Sequence, residues 1–315
     1  MSCQNFEKIN RKIKEDFLKR VKKEPEILKK RITLSWSNWG FGQEKLEVTA
    51  RRLAENKIRF IELHGNIYGT DLGYKPKDTA KILNDYGIKV SGICGMFNQG
   101  RDLSSNIPEL RQNGIDYIRR NLDLGYELKA KYFLIVPAAV GRAGKIDNFE
   151  FDRSAESLGV VAPLFTKARI KGAIEPIRSA EVSLCHTFAE ALEIIKAVNH
   201  PGIQHINGDI YHMGTEENHY AESIVNYGNR LVNLHFADTN RGALGTGMLN
   251  VDTIIHALYL IGYTDEEHFV TFEPLGAGGD PYPAMYGRPK KGELDRLVSS
   301  SIKYFQDREK IVKEL

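Results

Sequence analysis

A chain of 315 residues, 42% hydrophobic and 27% charged, is long enough for one (β/α)8 barrel with extensions and has the balance of a globular enzyme. Its formal net charge of +3 is too small to argue for nucleic acid. No run approaches the ~18 apolar residues of a membrane span, and the charged N-terminus does not read as a secretory leader. Cys3, Cys94 and Cys185 lie far apart and in no metal-ligand spacing, the pattern of reduced thiols in a cytoplasmic protein.

Residues 5–31 are lysine-rich, with Phe6, Ile9, Ile13, Phe17 and Val21 at helical spacing. They predict a helical extension over residues 1–31, packed outside the barrel with a solvated basic face; the competing reading is a clamp on a partner subunit. From Ile32 a strand–helix rhythm begins, and residues 32–315 read as one barrel domain. RITLSW (31–36) precedes a helix over 44–55, RFIELHG (59–65) a helix over 79–87, and IKVSGIC (88–94) a helix over 108–128. KYFLIVPA (131–138) is followed by an amphipathic segment over 152–168, and GAIEP (172–176) by a helix from Thr187 to Val198. IQHINGD (203–209) leads to a helix through 217–226, LVNLHFAD (231–238) to one over 251–262, and HFVTFEP (268–274) to a closing helix over 294–307. Eight strand–helix pairs close a parallel barrel: the fold class is α/β, a single (β/α)8 TIM barrel with an N-terminal helical extension. The long loops 95–107 and 274–290 fall on the C-terminal face, where barrels build their sites.

Four polar residues close apolar strands: Glu175, Asp209, His235 and Glu273. Brought together at the strand ends, three carboxylates and one imidazole repel one another unless a cation lies among them, which points to a divalent metal. Glu175 and Glu273 each precede a proline, and two carboxylates facing one pocket can act as base and acid. His212 follows Asp209 by three residues and reads either as a second pocket group or as a satisfied buried imidazole. Arg241, in HFADTNR, suits a sugar hydroxyl, carboxylate or carbonyl. The glycines of GALGTG (242–247) suggest a phosphate cradle, but they do not open a helix, which counts against one. Trp36, Trp39 and Phe41 follow the first strand and His64 closes the second. These rings, with Met96, Phe97 and the Tyr282–Tyr286 segment, read either as a stacking surface for a sugar or aryl group or as rim packing.

IEPIRSAE (174–181), GDIYHM (208–213), HFADTNRGALGTG (235–247) and FEP (272–274), with IELHGN (61–66) and RDLSSN (101–106), resemble the xylose-isomerase-like barrels, particularly their ketose 3-epimerase branch. The resemblance implies a Mn2+-type ion (Mg2+ or Co2+ as alternatives) held by Glu175, Asp209, His235 and Glu273. It implies proton transfer by Glu175 and Glu273, and a sugar held by Glu181, His212 and Arg241; Trp39 and His64 are taken as further substrate contacts. Two departures stand out: Arg178 is displaced by one position, with Ser179 and Ala180 intervening, and the Trp-Arg-Asp element expected after the last ligand is replaced by AGGDPYPAMYGRPKKGELD (277–295). They make the chain more similar to the catalytic α subunits of bacterial C-glycoside deglycosidases, which work with a small β-type subunit in a hetero-oligomer.

The leading expectation is therefore a metal-dependent lyase that splits the C–C bond between a 3-oxo sugar and its aglycone. The alternative is a ketose 3-epimerase or aldose–ketose isomerase. Both begin by removing a proton from carbon next to a sugar carbonyl. An endonuclease is disfavoured by the modest charge, and a noncatalytic sugar-binding barrel leaves two strand-end carboxylates without a task.

Overall fold

The structure is a computed structural model and describes residues 5–67, 73–275 and 290–314. Eight parallel strands form a closed barrel in chain order, β1 (Leu34–Ser37), β2 (Phe60–His64), β3 (Lys89–Cys94), β4 (Tyr132–Ile135), β5 (Lys171–Ile174), β6 (Ile203–Asp209), β7 (Leu231–Phe236) and β8 (Phe269–Phe272). Closure is made by β1 against β8, with Leu34 opposite Val270 and Trp36 opposite Phe272. Runs such as YFLI in β4 and LVNLHF in β7 are buried throughout, as strands covered on both faces require.

Among the described residues the helices are α1 (Asn5–Lys23), α2 (Leu46–Glu55), α3 (Pro76–Asp85), α4 (Pro108–Glu127), α5 (Glu150–Ala168), α6 (Phe188–Val198), α7 (Ile210–Glu216), α8 (Tyr220–Tyr227), α9 (Val251–Leu260) and α10 (Lys291–Lys313). Their starts follow local chemistry. Proline occupies the first turn of α3 and α4, where a missing N–H costs nothing. Thr187 and Glu190 form a reciprocal capping box on α6. None of these helices is long and apolar enough to cross a membrane.

The expected helix over residues 5–31 stops at Lys23, because Pro25 disfavours helical backbone at Glu24 and cannot donate; a short 3-10 turn, Pro25–Lys29, follows. α1 lies against α9. Phe17 is fully buried against His256 and Tyr259, and the Arg20 guanidinium donates to the Tyr259 and Leu260 carbonyls at the α9 C-terminus. α10 runs from Lys291 rather than 294 and extends to Lys313. α7 is an extra helix. Asp209 ends β6 and at once caps it, its Oδ1 accepting from the backbone N–H of Tyr211 (2.7 Å) and His212 (3.4 Å).

Candidate active site

The C-terminal mouth of the barrel holds a cavity lined by Trp39, Glu175, Asp209, His212, His235 and Glu273 on one side. Its remaining wall is largely apolar, from Met96, Phe97, Val136, Val140 and Ile177, with Arg101, Glu181 and Arg241 among it. His235 is the hub. On β7 it is fully buried, and its Nε2 sits 2.9 Å and 3.1 Å from the two carboxylate oxygens of Glu62 on β2. Its Nδ1 faces Glu175 Oε1 at 3.3 Å and lies in direct contact with Glu273 Oε1. Ligand atoms of Asp209, His235 and Glu273 lie within 4.8 Å of one another, as do those of Glu175, Asp209 and His212.

Beneath this ring is a buried polar layer. Glu62 accepts from the Tyr132 hydroxyl at 2.7 Å, Thr271 donates to Asn233 at 2.7 Å, and Asn233 donates to Asn207 at 2.7 Å. Asn207 in turn donates to Glu175 Oε1 at 2.9 Å. Each hydrogen bond removes a freedom from the groups above, so the imidazole is fixed with Nδ1 upward and Nε2 anchored below. Trp39 completes the support from the β1 side, its indole N–H donating to Glu273 Oε2 at 2.6 Å.

The electrostatics show where the charge is unbalanced. Burial pushes the Glu175 carboxyl up to about 8, although His235 pulls the other way. Burial also works against a charged His235, yet Glu273 and Glu62 outweigh it and raise the imidazole well above its ordinary value. One imidazole thus serves three carboxylates through its two nitrogens, while Asp209 finds only backbone N–H groups and a neutral neighbour. His212 Nε2 lies 3.4 Å from Asp209, but burial, reinforced by Arg241, pushes His212 down to about 3, so it carries no charge. Buried carboxylates in such excess are costly. A divalent cation fits the donor set: mixed oxygen and imidazole ligands, an open side toward the cavity, and a carboxylate-anchored histidine.

The other residues singled out in the sequence divide between the cavity and its surroundings. Arg241, buried and in left-handed backbone (φ +58°), stacks between the rings of Tyr211 (4.5 Å) and Trp39 (5.6 Å). Glu181 lines the cavity and is paired by Arg178 Nε at 2.5 Å. His212 lines it too, with Nδ1 buried and unpartnered. His64 does not. Its ring packs on Tyr74 (4.9 Å) and its backbone N–H donates to Asn38 Oδ1, so it belongs to the β2 rim rather than the described cavity lining. Trp36 stacks on Phe41 and Phe272, which makes it core packing. The GALGTG glycines do not cradle a phosphate: the Asp238 carboxylate accepts from the N–H groups of Gly245 (2.8 Å) and Leu249 (3.2 Å), and a Cβ on Gly247 would fall 2.2 Å from Asp238 Oδ1. Tyr282–Tyr286 and the loop from 276 to 289 lie outside the described residues.

A family model described as the xylose isomerase-like TIM barrel matches residues 50–288. The chain belongs to that family. Among curated relatives of this barrel, the ketose 3-epimerase of Arthrobacter globiformis is 29% identical over 197 residues, covering 62% of this chain and 68% of the relative. The 3-dehydro-D-guloside 4-epimerase of Escherichia coli (strain K12) is 24% identical over 262 residues, 80% of this chain and 96% of the relative. A solved L-ribulose 3-epimerase superposes with a TM-score of 0.78 at 20% identity, covering 90% of this chain and 96% of that one, and so shares the fold.

Sequence reasoning missed Glu62, Asn207, Asn233 and Tyr132, which build the layer under the strand-end ring of this chain. The available signal was a polar residue in the middle of a mostly apolar strand, as with Glu62 in FIELH and Asn233 in LVNLHF.

Proposed function

We propose that this chain is a metal-dependent sugar epimerase that inverts a carbon next to a carbonyl, in preference to the C–C lyase first expected from sequence. One observation carries the reading: Glu175 and Glu273 reach the same imidazole nitrogen from β5 and β8, three strands apart around the ring, which presents two carboxylates to one substrate. The curated relatives named above are epimerases of ketoses and of an oxidised glycoside, in keeping with it.

Glu175, Asp209, His235 and Glu273 would hold the ion, with Mn2+ the favoured identity. When bound, it supplies Lewis-acid stabilisation of the charge that develops beside the carbonyl, worth several kcal/mol. The chain's own groups do the rest. One of the two glutamates takes the proton from carbon and the other returns a proton to the opposite face, leaving atoms and charge balanced. Asn207 on Glu175 and Trp39 on Glu273 hold each carboxylate oxygen at a fixed angle. Neutral His212, Glu181 and Arg241 orient sugar hydroxyls, and the apolar wall excludes water.

Incubating the Mn2+-supplemented protein with D-fructose, D-tagatose and a 3-oxo-glucoside in D2O tests the proposal. Deuterium on the carbon next to the carbonyl, with inversion, is the expected result; no exchange into any of these substrates overturns it. A second reading has its own observation: Met96, Phe97, Val136, Val140 and Ile177 form an apolar wall that a small free ketose does not need. That wall suits the aglycone of a 3-oxo-C-glycoside, whose release would mark C–C cleavage after the same first step. A small β-type subunit and a cytoplasmic location go with this reading, and a stably copurifying small chain would support it.

A further inference from the structure

Arg101 ends the short 3-10 turn Gln99–Arg101 after β3 and lines the same cavity as the ring of carboxylates. Its guanidinium carbon lies over the Tyr117 ring at 4.8 Å, and its Nε is buried without an acceptor. No carboxylate among the described residues pairs with it. The nearest acid in sequence is already committed: Asp102 Oδ2 accepts from Arg142 Nη2 (2.8 Å) and Nε (3.1 Å), while its Oδ1 accepts from the Ser104 hydroxyl (2.7 Å). Other guanidinium groups of the same loop cluster are matched, Arg142 also by Glu150, Arg153 by Asp147 and Arg178 by Glu181. Arg101 and Arg241 are the unmatched pair in the cavity lining, and Arg241 is taken up with the sugar in the scheme above.

A guanidinium cannot shed its proton, so a partly desolvated one without an acceptor is unfavourable until something supplies oxygen atoms. Of the lining residues that precede it in the loop, Met96 and Phe97 have no side-chain oxygen, and Asn98 Oδ1 already accepts from the Gly100 N–H at 3.0 Å. Its place over the Tyr117 ring holds the guanidinium at the cavity, and a guanidinium fork matches a planar or tetrahedral oxyanion. We propose that Arg101 is a specificity-determining residue that binds an anionic substituent, carboxylate or phosphate, on the part of the substrate remote from the reacting carbon. The preferred substrate would then be an acidic sugar or acidic glycoside, with neutral ketoses accepted less well by the same site. This inference rests on the cavity being a sugar site, as proposed above.

Isothermal titration of the Mn2+-supplemented protein with D-fructose, D-fructuronate and D-fructose 6-phosphate tests it without requiring turnover. At least one charged sugar should bind about tenfold tighter than D-fructose, the worth of one charge-assisted hydrogen bond. In Arg101→Gln that advantage should fall to within about twofold while D-fructose binding is unchanged, and Arg101→Lys should keep part of it. Should Arg101→Gln fail to fold, the wild-type preference and its loss at high salt still decide the matter. Equal binding of charged and neutral sugars, or a preference that survives Arg101→Gln, overturns the anion site and leaves the epimerase proposal standing. Failure of all three to bind overturns the sugar site and this inference with it.

Discussion

At the N-terminal end of the barrel, Glu266 and Glu267 sit half exposed among four cations. Arg59 and Lys89 approach Glu266 at 2.9 Å and 3.8 Å, and Lys131 and Lys171 approach Glu267 at 2.6 Å and 3.2 Å. Partial burial pushes Glu267 up, but the two lysines outweigh it and hold the carboxyl below its usual range. At the C-terminal end Glu175 is held up at about 8 by burial, with one imidazole between it and Glu273. The same residue type thus meets opposite conditions at the two ends: one is charge-matched and wet, the other charge-starved and dry. A matched end has no need of a ligand. The unmatched end is where a cation belongs, and where proton transfer can be driven.

Substitutions should break this contrast in a graded way. Glu273→Gln removes a proton-transferring group and should cut deuterium exchange into substrate by about 10²–10⁴-fold, measured by NMR at saturating Mn2+. A loss of less than tenfold there would show that Glu273 does not move the proton. Glu62→Gln leaves every cavity-lining group in place but weakens the anchor on His235 Nε2. Metal affinity should fall about 10–100-fold, read by titration with Mn2+, with folding intact by circular dichroism.

The pH dependence sharpens the same point. Glu175 has its folded value raised above its unfolded one, so the stability it contributes is complete below the unfolded value. That contribution is lost as pH rises through about 8. A cation favours the carboxylate and opposes this loss, so the Tm difference between Mn2+-supplemented and chelator-treated protein should widen from pH 6 to pH 8. A constant difference across that range would contradict the assignment. The smallest effect belongs to the other end. Glu267→Gln should cost about 0.5 kcal/mol or less of unfolding free energy in urea, since its pairs are solvent-screened, and should leave exchange unchanged.

What could be read from the sequence was position more than partnership. Each of Glu175, Asp209, His235 and Glu273 closes an apolar run, and a run of that kind ends at one face of the barrel, so their meeting followed from counting strands. The Glu62–His235 pair was not legible, because its members lie 173 residues apart and the register that joins them is set by barrel closure. α7 was missed because Asp209 does two things at once, ending a strand and capping a helix, and periodicity over seven residues is too short to show. Arg101 gave no sign of its status either: whether an arginine has a partner depends on where Asp102 turns, and it turns to Arg142.

Everything proposed for the mouth of the barrel depends on a single divalent ion held by Glu175, Asp209, His235 and Glu273. Crystals grown with MnCl2 and measured on both sides of the manganese absorption edge test it most directly. One anomalous peak bonded to all four side chains is expected, with His235 contributing Nδ1 and Glu62 still on Nε2. No peak there, or one bonded to none of the four, would contradict it.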